Sequence, residues 1–137
     1  MIGVLITTHG NLGNEMIRAA ELIEGNNLKG VHYVSVDQTK SVEELKKEIS
    51  AAIKKLDQGH GVLILTDLFG GTPSNISLSF LKEGKVEVVT GVNLPMLLKL
   101  REIRKEEMNL KDFACYIKEY GRKNIYLASE ILSKKTS

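Results

Sequence analysis

Apolar positions along the chain follow two alternating rhythms. Ile2 to Thr7 is a short run of Ile, Leu, Val and Thr, which predicts a strand. Leu12, Met16, Ala19, Ala20 and Ile23 then recur at helical spacing, and Gly25 with Asn26 and Asn27 predicts the end of that helix. Val31 to Val36 reads as a second strand. Ser41 followed by Glu44 is a capping-box pattern that opens a second helix, with Val42, Leu45, Ile49, Ala52, Ile53 and Leu56 as its inward stripe. The third strand, Val62 to Leu65, is apolar at every position, as expected for a central parallel strand covered on both faces.

DLFGGTPSN follows, with a short helix expected from Thr72 or Pro73 to about Leu81 and a stop at Gly84. Lys85 to Thr90 alternates enough to predict a fourth strand. Pro95 suits a first helical turn, continued by Leu97, Leu98, Leu100 and Ile103. REIRKEEMN is a charged bend. Asn109 followed by Asp112 predicts another helix start, with Leu110, Phe113, Ala114 and Ile117 inward and Gly121 as the stop. Ile125 to Ala128 reads as a final short strand, and the KKTS tail is expected to fray. Strand alternating with helix predicts an α/β fold, an open and mainly parallel sheet with helices on both faces. One domain is expected over residues 1–130, with a C-terminal tail over 131–137.

Composition narrows the classes. With 42% hydrophobic and 26% charged residues, the 137-residue chain reads as an ordinary globular one. A net charge of +2 argues against a dedicated nucleic-acid surface. No apolar run approaches membrane-spanning length, and MIGVLITTHG lacks the basic leader of a signal peptide, so a cytoplasmic protein is expected. The single cysteine, Cys115, lies in an apolar helical pattern and is expected to be buried.

Open parallel sheets carry their sites beyond the carboxyl ends of the strands. Three polar clusters fall at such ends: Thr7 to Gly10, Thr66-Asp67 with Gly70 to Pro73, and Thr90 to Asn93. If the first and third strands are neighbours, His9 and Asp67 share a rim. A carboxylate fixes the tautomer of a histidine and leaves its other nitrogen free to attack. The alternative is a salt link within a turn. Gly70, Gly71 and Thr72 can offer backbone N–H groups and a hydroxyl to an anion, or simply form a turn. Neither a P-loop, nor GxGxxG, nor GxSxG occurs, so ATP, NAD and serine-nucleophile chemistry find no support. The histidines show no metal-ligand spacing: His32 sits in a strand pattern and His60 at a turn.

THG at Thr8 to Gly10, TDLFGGTPSN at Thr66 to Asn75 and GVNLPML at Gly91 to Leu97 together carry a resemblance. The chain resembles the IIA domain, or EIIA component, of the mannose/fructose/sorbose class of bacterial phosphoenolpyruvate-dependent sugar phosphotransferase systems. That resemblance implies a phosphocarrier without a cofactor or metal. His9 would receive a phosphoryl group at Nε2 from the small histidine-phosphorylated carrier protein and pass it to the EIIB component. Asp67 would hold the other ring nitrogen, and Thr72 would contact the phosphoryl group, aided by the N–H groups of Gly70 and Gly71. Membrane EIIC and EIID components, which select the sugar, would be indirect partners. A homodimer is implied, with the last strand able to pair with the other subunit. Relatives often fuse EIIA to EIIB; here EIIB is expected to be a separate chain. Leu12 and Phe69 flank the rim and are candidates for partner contact. Two other readings stay open at this point: a phosphocarrier subunit serving a dihydroxyacetone kinase, and a non-catalytic ligand-binding regulatory module.

Overall fold

A computed structural model describes residues 1–136. Four strands, β1 (Gly3–His9), β2 (Val31–Val36), β3 (Val62–Thr66) and β4 (Val86–Thr90), form one sheet in the order β2-β1-β3-β4. All three pairings are parallel. Around them lie α1 (Leu12–Glu24), α2 (Val42–Leu56), α3 (Gly71–Leu78), α4 (Leu94–Ile103), α5 (Leu110–Lys123) and α6 (Ala128–Thr136).

The all-apolar reading of β3 is explained by two cores, one on each face. Leu63 and Leu65 pack with Val4 and Ile6 of β1 against Ile17, Leu97, Leu100, Phe113 and Ile117. Val62 and Ile64 pack with Leu5 against Leu45, Ile49 and Ile76. Successive strand residues point to opposite faces, so each strand serves both cores. Helices α1, α4 and α5 cover one face, and α2 and α3 the other. This is the expected α/β architecture.

The caps read from sequence form. Ser41 accepts the Glu44 N–H at 3.1 Å and Asn109 accepts the Asp112 N–H at 2.8 Å. The α3 helix begins one residue earlier than expected and ends at Leu78, with turns continuing through Leu81.

Four expectations are corrected. In α1 the buried residues are Gly13, Ile17 and Ala20, while Leu12 and Ile23 are exposed. Gly13 belongs to the core because a Cβ there would sit 3.1 Å from Ile6 Cγ2; the helix rests close on β1 through a residue that carries no apolar side chain. Cys115 is exposed. The inward stripe of α5 is Leu110, Phe113, Ala114, Ile117 and Gly121, and at about 100° per residue Cys115 falls on the opposite side. Gly121 does not end α5, which runs to Lys123; an added Cβ would run into the Met96 side chain, so this glycine lets α5 approach α4.

The final strand over Ile125–Ala128 does not form. Ile125 to Leu127 lie outside any element, and a helix starts at Ala128, crossing the expected boundary between residues 130 and 131. A strand exists only through pairing, and among the described residues of one chain nothing pairs with this segment. The tail expected to fray contains residues 134–136 of α6, while Ser137 lies outside the described residues.

Candidate functional site

The chain leaves β1 in one direction to reach β2, and β3 and β4 lie on the other side. The order therefore reverses between β1 and β3, and a crevice at such a switch point opens beyond the carboxyl ends of the two strands. His9 is the last residue of β1, and Asp67 follows directly on β3, whose last residue Thr66 is in register with Thr7.

Asp67 Oδ2 receives two hydrogen bonds from His9, one from Nδ1–H at 2.8 Å and one from the backbone N–H at 3.0 Å. Asp67 Oδ1 accepts the Leu68 N–H at 3.1 Å. The Asp67 side chain is 10% exposed and that of His9 52%. Burial alone would raise the Asp67 carboxyl. The hydrogen bonds from the His9 ring and backbone, with the charge of the ring, outweigh burial and hold the carboxyl below its usual value. Asp67 is thus a fixed carboxylate that orients the ring and keeps the proton on Nδ1. In the neutral ring, Nε2 then carries the lone pair.

Nε2 faces the start of α3. A Cβ on Gly71 would lie 3.4 Å from Nε2 and 3.2 Å from Cε1, and Gly71 has φ +77°. Glycine at 71 therefore meets two needs, a left-handed backbone and open space beside Nε2. Gly70 precedes α3 at φ +89°, and no side chain caps the helix. The first-turn N–H groups of a helix have no partner inside it. Here they belong to Gly70, Gly71 and Thr72, since Pro73 has none. Thr72 is exposed beside them. The turn therefore brings a cluster of neutral donors next to the His9 ring, a type of group suited to the oxygens of an anion.

Below the rim, Thr8 Oγ1 is buried and accepts the Gly13 N–H at 2.8 Å, which ties the turn after His9 to the start of α1. Sequence reading passed over this role; a hydroxyl on the residue before the histidine was its only signal. Leu68 and Phe69 are exposed next to Asp67, Phe69 at 76%, and Leu12 is exposed on the other side of His9. Phe69 therefore lies outside the core.

The third polar cluster does not join the site chemically. Asn93 Oδ1 accepts the Met96 N–H at 3.2 Å, capping α4, and its Nδ2 donates to Gly121 O at 3.0 Å. His32 and His60 lie apart from His9, exposed on β2 and in the turn before β3. Among the described residues, no group of three or more His, Cys, Asp or Glu is placed to hold a metal. No helix among them is long and apolar enough to cross a membrane.

Known proteins share this arrangement of chain and fold. The family model described as "PTS system fructose IIA component" matches residues 3–118. The fructose-specific EIIA component of Bacillus subtilis is 34% identical over 137 residues, covering 98% of this chain and 91% of that protein. The mannose-specific EIIAB component of Escherichia coli is 29% identical over 125 residues; the match takes in 90% of this chain but 38% of that longer protein. Among solved structures, the phosphotransferase system component EIIA from Streptococcus agalactiae superposes with a TM-score of 0.84 at 26% identity, over 95% of this chain and 99% of the other. The chain belongs to the mannose/fructose/sorbose family of EIIA components, phosphocarriers that pass a phosphoryl group toward EIIB in sugar uptake by the phosphotransferase system.

Proposed function

We propose that His9 Nε2 is the atom that carries the phosphoryl group. The observation behind this reading is the His9–Asp67 pair, which engages Nδ1 and leaves Nε2 beside the open Gly71 turn. A small carrier protein, phosphorylated on histidine, presents its phosphorus in line with Nε2. The Nε2 lone pair forms the new N–P bond while the carrier's N–P bond breaks and its electron pair returns to the carrier's ring. Positive charge that builds on the His9 ring is balanced by Asp67, which keeps the Nδ1 proton. The N–H groups of Gly70, Gly71 and Thr72 and the Thr72 hydroxyl hold the equatorial oxygens. These donors are neutral, so the group is held without being trapped. The same steps in reverse deliver it to EIIB, and the membrane EIIC and EIID components complete uptake.

Both exchanges need a surface around His9, and exposed Leu12, Leu68 and Phe69 provide its apolar part. The relay starts from phosphoenolpyruvate, a cytoplasmic metabolite, and this supports a cytoplasmic location. A second copy of the chain is the partner that would cover Ile125, Tyr126 and Leu127, apolar residues left 62% to 75% exposed after α5. Light scattering should then give twice the chain mass, and a monomer at all concentrations would remove the dimer.

The test of the relay uses phosphoenolpyruvate, the general phosphotransferase enzyme and the small carrier. Intact mass should show one acid-labile phosphoryl group on the wild-type chain and none on His9→Ala. Labelling that persists in the variant would reject His9.

A further inference from the structure

At the amino end of the sheet, about 20 Å from His9 along a seven-residue β1, lies a cavity of about 620 Å³. Met1 and Leu28 give it an apolar wall, and Lys29, Arg101, Arg104 and Lys105 supply four cations; among the described residues no carboxylate lines it. The whole chain carries a net charge of only +2, so four cations around one cavity are a local concentration rather than a general bias. We propose that this cavity binds a phosphorylated small molecule of about sugar-phosphate size, with the phosphate among Lys29, Arg104 and Lys105 and the carbon skeleton against Leu28 and Met1.

The four cations are not equivalent. Arg101 is matched by Glu24, with Nη2 3.5 Å from Oε2. Arg104 has no carboxylate among the described residues. It donates through Nη1 to Lys29 O and through Nη2 to Gly30 O at 2.9 Å, and its buried Nε has no partner. These bonds fix the guanidinium without neutralising it. Burial accordingly pushes the group down to about 10. An anion beside it would relieve that penalty. Lys29 and Lys105 are exposed and form no ion pair among the described residues, so both can close on a ligand.

The size selects the ligand class. Small-molecule sites run from roughly 300 to 1,000 Å³, and a bare phosphate would leave most of this one empty. A concave cavity with one apolar wall also differs from the extended basic stripe that a nucleic acid or a lipid surface would need.

An NMR titration of the full-length, isotope-labelled protein tests the proposal, with fructose 6-phosphate, inorganic phosphate and uncharged fructose as probes. Fructose 6-phosphate should give saturable shifts at Lys29, Gly30 and Arg104. Inorganic phosphate should bind there more weakly, and fructose should not bind. The double variant Lys29→Glu/Lys105→Glu alters two exposed side chains and should fold, yet lose affinity by on the order of 100-fold, tenfold per side chain. It should still accept phosphate on His9. Shifts confined to the Gly70–Thr72 turn, affinity unchanged in the double variant, or equal affinity for inorganic phosphate would each overturn the proposal.

Discussion

Two strand-to-helix turns leave the same rim, and they use similar residues in opposite ways. After β4, Asn93 caps α4 and also holds Gly121 of α5. After β3, α3 starts with no side-chain cap, on two glycines of positive φ, with Nε2 of His9 alongside. The first turn uses both ends of its asparagine side chain within the fold. The second has no side chain capping its first-turn N–H groups. An uncapped helix start costs stability, so its retention beside a carboxylate-bound histidine points to use by something from outside.

Substitutions on each side should separate the two roles. The largest effect is expected from Gly71→Ala. Its Cβ would press on the His9 ring at a backbone conformation that alanine resists, and a misplacement of this kind costs on the order of 100-fold in transfer. Rapid-quench phosphotransfer would measure it; a rate close to wild type would show that the open space at 71 is not needed. Asp67→Asn comes next. Losing a charged hydrogen bond of about 1.5–3 kcal/mol should slow transfer by roughly 10- to 100-fold. Its unfolding midpoint should change less than its rate, and the reverse pattern would make Asp67 a structural residue.

Thr72→Ala removes one neutral donor, about 0.5–1.5 kcal/mol, or roughly threefold to tenfold in transfer, with little change in stability. Asn93→Ala should do the opposite: transfer unchanged, and about 1 kcal/mol lost from the lost cap, read by denaturant unfolding. If Asn93→Ala slowed transfer like Thr72→Ala, the contrast between the turns would collapse.

The contrast also has a pH signature. The folded Asp67 carboxyl titrates below its unfolded value. Its contribution to stability is therefore complete above the usual carboxylate range near pH 4 and is lost as pH falls through the depressed folded value. The stability gap between wild type and Asp67→Asn should close over that acid window. A gap that stays constant down to pH 2 would mean that the ion pair with His9 adds nothing.

Much of this was legible in the sequence, for physical reasons. Strand runs, the Ser41 and Asn109 caps and the His9, Asp67 and Gly-Gly-Thr clusters are local signals, and local signals survive folding. The position of the clusters at strand ends marked a shared rim, but only the order β2-β1-β3-β4 made His9 and Asp67 neighbours. Glycines misled the reading twice. Gly13 and Gly121 look like breaks or gaps in an apolar pattern, yet both are close-packing positions between elements. The segment from Ile125 misled it differently: an apolar run states that something should be covered, not what covers it. Thr90 to Asn93 resembled the clusters around His9 and Gly71 because a cap and a candidate anion site draw on the same residue types. Only the hydrogen-bond partners tell them apart.

The most direct test of the central claim is the chemistry of the phosphorylated ring. Nitrogen-15 and phosphorus-31 NMR on the phosphorylated full-length protein identifies which atom bears phosphorus. The geometry predicts phosphate on Nε2 of His9, with the Nδ1 proton retained and shared with Asp67. Phosphate on Nδ1, or on any other residue, would contradict it.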